Sequence, residues 1–170
     1  MRTNISRLNN TLFAVLVLCI VSSSAKADNN DAGQISFSLG YYDVSGNNEA
    51  ADFRIEYRAA NSLFAENLKP WVSLELTSEA STWLGAGVLY DWEFKNSWHL
   101  MPSIGVGVYS QGSSDLDLGN TIVFRSQIEL GKELNQNNII GASFSHLSNA
   151  GLDSHNPGVE VLNLYWHRKF

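Results

Sequence analysis

Ala51-Asp52-Phe53-Arg54-Ile55-Glu56-Tyr57-Arg58 alternates without a slip. Ala51, Phe53, Ile55 and Tyr57 point one way, while Asp52, Arg54, Glu56 and Arg58 point the other. Period two belongs to a strand whose faces meet different environments. A soluble sandwich would bury the apolar row and leave the charges in water. A narrow membrane barrel would turn the apolar row to lipid and pair two acids with two arginines inside. One strand permits either.

The count separates them. Strand-like segments fall at about 34–43, 49–60, 68–78, 82–92, 97–109, 120–132, 138–148 and 159–170. Eight is even, and each segment is long enough for a tilted span of about 9–11 residues. The sixth repeats the pattern, with Ile122, Phe124, Ile128 and Leu130 against Arg125, Gln127 and Glu129. Gly85, Gly87, Gly105 and Gly107 fall where a tight barrel needs interior room or curvature. Tyr41, Tyr42, Trp71, Trp83, Tyr90, Trp92, Trp98, Tyr109, Tyr165 and Trp166 are candidates for interfacial girdles, with core filling as the alternative for each. The expectation is an all-β chain, an eight-stranded antiparallel transmembrane β-barrel of the outer membrane.

The chain's ends agree. Arg2 and Arg7, the apolar run Leu12 to Val21 and Ala25-Lys26-Ala27 read as a cleaved signal peptide over 1–27, leaving 28–170 as a single barrel domain. Ten apolar residues are too few for a membrane helix, which needs roughly 20. Losing Arg2, Arg7 and Lys26 leaves 8 of the 11 basic residues against all 17 acids, a net charge of −9. That balance argues against nucleic acid as a partner. Cys19, the sole cysteine, departs with the signal, so no disulfide is expected. Leu162 to Phe170 runs in strand periodicity to an aromatic last residue. This end resembles the terminal strand of bacterial outer-membrane proteins, which implies that Phe170 is read by the barrel assembly machinery.

Short polar turns at Glu93 to Asn96 and Glu133 to Asn137 suit the periplasmic side, and the stretches 110–119 and 149–158 the extracellular side. The seventh segment then climbs outward. Ile140, Ala142, Phe144, His146 and Ser148 share its lipid-facing parity, while Gly141, Ser143 and Ser145 face inward. In the eighth, Glu160, Leu162, Leu164, Trp166, Arg168 and Phe170 form the outward row. His146 and Ser148 lie roughly 6.6 Å apart on one face, and Glu160 can stand beside His146 on the antiparallel neighbour. Serine as nucleophile, histidine as base and carboxylate as orienting acid is the chemistry such a set allows. Desolvating all three at a lipid-facing rim without mutual pairing would be costly. Parity alone leaves a hydrolase and an incidental polar rim nearly even.

The run Ser145 to Glu160, SHLSNAGLDSHNPGVE, resembles the active-site signature of the outer-membrane lipid A 3-O-deacylases, the PagL family. The pattern of signal, eight strands and terminal phenylalanine is similar to that family across the mature chain. The resemblance implies His146 as base, Ser148 as nucleophile and Glu160 as orienting acid. It also implies Asn149 and the backbone around Gly151 as oxyanion donors, with Asn156 ordering the returning loop. The implied substrate is lipid A of lipopolysaccharide in the outer leaflet, its 3-position ester cleaved without a cofactor. Ala142, Phe144 and Leu162 are expected to form a shallow acyl groove beside the triad. An outer-membrane phospholipase and a non-enzymatic barrel are the rivals. Asp153 and His155 read as loop-surface groups, and His99 and His167 lie outside the cluster, with no ligand set spaced for a closed metal site. A homodimer is compatible with the sequence.

Overall fold

The computed structural model describes residues 33–113 and 116–170; the proposed signal over 1–27 lies outside them. The strands are β1 (Gln34–Tyr42), β2 (Ala50–Arg58), β3 (Leu68–Thr77), β4 (Thr82–Tyr90), β5 (Trp92–Phe94), β6 (Trp98–Ser110), β7 (Ile122–Asn135), β8 (Asn138–Ser148) and β9 (Val159–Lys169). Chain neighbours pair antiparallel except β4 and β5, which both pair with β6, and β1 pairs with β9 from Gln34↔Lys169 to Tyr42↔Val161, closing the sheet. Beyond Leu89↔Ser103, the line of β4 is continued by the short β5 at Trp92↔Leu100. Eight strands therefore make the ring.

Two of the expected turns are tighter than the sequence suggested. Glu93 belongs to β5 and Glu133 to β7, so the reversals shrink to 95–97 and 136–137. The first and last described residues meet at this rim, where Phe170 N donates to Gly33 O at 2.9 Å. Short turns mark it as the periplasmic rim of a transmembrane barrel.

The two faces of β2 are set as alternation requires. Asp52, Arg54, Glu56 and Arg58 are buried inside, whereas Phe53 and Tyr57 lie exposed on the outer wall. Leu39 is 66% exposed, Ile104 65% and Leu164 71%, a greasy outer surface that only lipid accommodates. Inside, Arg54 pairs with Glu75 at 2.6 Å, and Arg58 reaches Glu129 at 2.6 Å and Glu56 at 2.9 Å. Arg54 also donates to Gln127, and His167 Nε2 lies 3.0 Å from Glu129. Arg125 bonds Glu56 and sits over the rings of Trp71 and Trp83, 4.3 and 4.8 Å from their centroids.

Those rings correct the girdle expectation. Trp71, Trp83, Tyr42, Tyr109 and Tyr165 are interior residues, whereas Tyr41, Tyr90, Trp92, Trp98 and Trp166 are exposed on the wall. The glycines explain the difference. Gly85 faces Gly107 and Gly87 faces Gly105 across β4 and β6, and a Cβ at any of them would run into Trp83 or Trp71. Four missing side chains make room for two indoles. Above them Leu118 from the β6–β7 loop packs with Val123, Leu147, Val159 and Val161, filling the extracellular end.

Arg58→Met should cost about 3–5 kcal/mol, because Glu129 and Glu56 lose a buried counter-charge. Urea unfolding in detergent micelles would measure it, and adding Glu129→Gln should recover part of the loss.

Candidate active site

β8 rises to the extracellular rim and presents His146 and Ser148 on its outer face, both half-buried. β9 begins directly across, and the register makes His146 and Glu160 cross-strand partners. His146 Nδ1 donates to Glu160 Oε1 at 2.9 Å. A carboxylate accepting at Nδ1 fixes the ring tautomer and leaves Nε2 to take a proton. Ser148 is one strand repeat further along. Among the described residues no hydrogen bond joins Ser148 to the imidazole.

Two residues that sequence reasoning missed hold the pair in place. Ser45, in the β1–β2 loop, donates its hydroxyl to Glu160 Oε2, so both oxygens of that carboxylate are engaged. The same loop is tied down by Val44 N donating to Glu160 O at 3.1 Å. Nothing in the sequence marks Ser45, which is 115 positions from Glu160. Gly158 is the second. Its φ is +69°, and a Cβ there would meet His146 Cε1 at 2.6 Å. The loop returns under the imidazole only because that position has no side chain.

The β8–β9 loop is organised by Asn149, which is fully buried. Its Nδ2 donates to Leu118 O and His155 O, both at 2.8 Å, and its Oδ1 accepts from Gly151 N at 2.9 Å. Asn149 N in turn donates to Asn156 Oδ1 at 3.0 Å. Asn156 therefore ties the returning loop to the end of β8. Of the oxyanion donors expected at Asn149 and in the backbone around Gly151, the Asn149 side chain and the Gly151 N–H are spent on building this turn. Between them Ala150, at φ +53°, lines the outer groove with Ser148 and His146. Asp153 and His155 are exposed on the loop, away from the pair.

That groove, of about 810 Å³, crosses the lipid-facing wall from His146 and Ser148 over β7 and β6 to β4. Ala86, Val88, Val106 and Ser126 form part of its walls, with Ile104 and Phe124. This trough is not the groove expected from sequence. Ala142 and Phe144 precede His146 on β8 itself and Leu162 lies on β9; all face outward, and none of them lines the trough. Phe144 and Leu162 fill their own places on the wall, whereas small side chains on β4, β6 and β7 leave a furrow. Among the described residues, no third histidine, cysteine or carboxylate joins His146 and Glu160 to make a metal site there.

A closed, lipid-facing barrel of eight strands, with a buttressed His–Glu pair on its outer rim, is an outer-membrane β-barrel. The family profile described as "Lipid A 3-O-deacylase (PagL)" matches residues 36–169, and the chain belongs to that family. It is 27% identical over 181 residues to the lipid A deacylase PagL of Bordetella bronchiseptica, covering 95% of this chain and 97% of that one. The crystal structure of the outer membrane enzyme PagL is similar at a TM-score of 0.65 and 19% identity, covering 81% of this chain and 99% of that one. Neisserial surface protein A shares the fold at a TM-score of 0.57 and 13% identity, covering 84% of this chain and 98% of its own.

Ser45→Ala should lower kcat for ester hydrolysis about tenfold with KM unchanged, the loss of one hydrogen bond to a carboxylate of ~1.5 kcal/mol. Ser45→Thr should restore most of it. Steady-state kinetics on detergent-refolded protein would measure both.

Proposed function

We propose that this barrel is a lipid A 3-O-deacylase working from the outer leaflet, with Ser148, His146 and Glu160 as its triad. The observation that carries the reading is the His146–Glu160 bond of 2.9 Å at the lipid-facing rim. It stands at the head of an apolar groove that Ser148 also lines, in a chain of this family.

Ser148 Oγ attacks the carbonyl carbon of the 3-position ester as His146 Nε2 takes the hydroxyl proton. Glu160 holds Nδ1–H and stabilises the imidazolium. We assign the oxyanion to the backbone N–H of Ala150, the groove-lining residue between the two committed groups. Collapse of the tetrahedral intermediate breaks the bond to the sugar oxygen, which takes the proton from His146. Water then attacks the acyl-serine with His146 again as base, releasing a fatty acid.

The outward site suits this substrate. An acyl chain lying in the groove stays in hydrocarbon, whereas extraction into water would cost roughly 0.8 kcal/mol for each methylene. In the cell Phe170, exposed at the periplasmic rim with its ring near Tyr57, would address the assembly machinery.

Mass analysis of lipid A from cells expressing the wild type should register loss of one 3-linked acyl chain, and Ser148→Ala should abolish the change. Equal cleavage of purified phospholipid would redirect the assignment to a phospholipase; unaltered lipid A with the wild type would point to a non-enzymatic barrel. Val106→Trp, which fills the groove, should slow release of a long acyl chain at least tenfold while sparing a short soluble ester, an effect of ~1.4 kcal/mol or more. Equal rates on both esters would argue against the groove as the acyl site.

A further inference from the structure

At the periplasmic mouth, far from His146, three strands bring together residues that are remote in sequence. Glu93 on β5 faces His99 on β6 as its cross-strand partner, and Glu133 comes from the end of β7. One ring nitrogen of His99 and one carboxylate oxygen from each glutamate lie within 4.8 Å of one another. His99 is only 3% exposed. Its Nδ1 is 2.8 Å from Asp91 Oδ1, which as a carboxylate can only accept. A hydrogen is therefore on Nδ1, which leaves Nε2 as the ring nitrogen that Asp91 does not engage. That nitrogen is buried and has no hydrogen-bond partner.

An unpartnered buried ring nitrogen, on a histidine that stands with two carboxylates, suits a cation. We infer that Glu93, His99 and Glu133 bind a divalent transition metal of the zinc class at the periplasmic mouth. One imidazole and two carboxylates are a donor set that Zn2+ accepts, with water completing the tetrahedron. Asp91 serves as the outer carboxylate that orients a ligating histidine. Ligand atoms around Zn2+ stand about 3.3–3.6 Å apart for bonds of roughly 2.0–2.2 Å, so the carboxylates must turn inward slightly. Glu93 is exposed and can do so. Glu133 already has one oxygen, Oε1, held by Lys169 Nζ at 3.0 Å, leaving Oε2 for the metal. The bound ion would join the short β5 to β6 and β7, where the wall is otherwise held by three residue pairs. Spacing in the sequence hides the set, because the three ligands come from separate strands.

The test is calorimetric titration of ZnCl2 into untagged, chelator-stripped protein folded in detergent micelles. The expected result is one Zn2+ per chain, with affinity falling at least tenfold in Glu93→Gln and in Asp91→Asn. The double variant His146→Ala/His155→Ala removes the imidazoles of the extracellular rim and should bind as the wild type does. Gel mobility before and after heating checks that each variant is folded, and the exposed Glu93 provides a change that the barrel tolerates. Absence of saturable binding below ~100 μM, equal affinity in Glu93→Gln, or loss of binding in the rim double variant would each overturn the assignment.

Discussion

A backbone amide facing hydrocarbon has no water to bond, so a sheet in lipid must find all of its partners in itself. The β1–β9 ladder meets that demand here, and the site depends on it as well. Closure puts β1 against β9, which carries the β1–β2 loop to the start of β9. There Ser45 reaches Glu160, and Glu160 reaches His146. An open sheet of the same strands would leave the carboxylate without its outer support.

Closure also separates two populations of charge. The interior arginines and acids are walled off from lipid and answer one another, while His146 and Glu160 stand outside, nearer the headgroups. The apolar fill of Leu118, Val123, Leu147, Val159 and Val161 lies behind the site. A His–Glu pair backed by packed side chains is screened by water on one side only. Its attraction is therefore stronger than that of an exposed surface pair.

Parity was the legible part of this molecule. The faces of β2 and β7, the outward row of β9 and the placing of His146 and Ser148 all follow from a two-residue repeat that a buried interior enforces. Trp71 and Trp83 fell outside that reading because an aromatic on a barrel strand suits either face. The deciding fact is Gly85, Gly87, Gly105 and Gly107, whose pairing across β4 and β6 opens the space the indoles fill. Ser45 was beyond reach, since a loop serine carries no sign of a carboxylate brought to it by closure. The trough over β7, β6 and β4 is not legible in sequence for a related reason. Its floor depends on the sizes of neighbours across three strands, and single-strand parity says nothing of size.

The oxyanion assignment shows how a signature can be right about residue types while leaving their jobs open. In sequence Asn149 and the backbone around Gly151 resemble oxyanion donors, with Asn156 ordering the returning loop. In the structure the Asn149 side chain bridges Leu118 O, His155 O and Gly151 N, and Asn156 accepts from the Asn149 backbone. These bonds hold the loop in the left-handed turn at Ala150 and Gly151, which no strand ladder would support. Removing any of them would release the turn as well as a donor. The asparagines therefore act through backbone geometry, fixing where Ala150 stands relative to Ser148. A buried amide with every polar atom committed is better suited to that task than to meeting a transient charge.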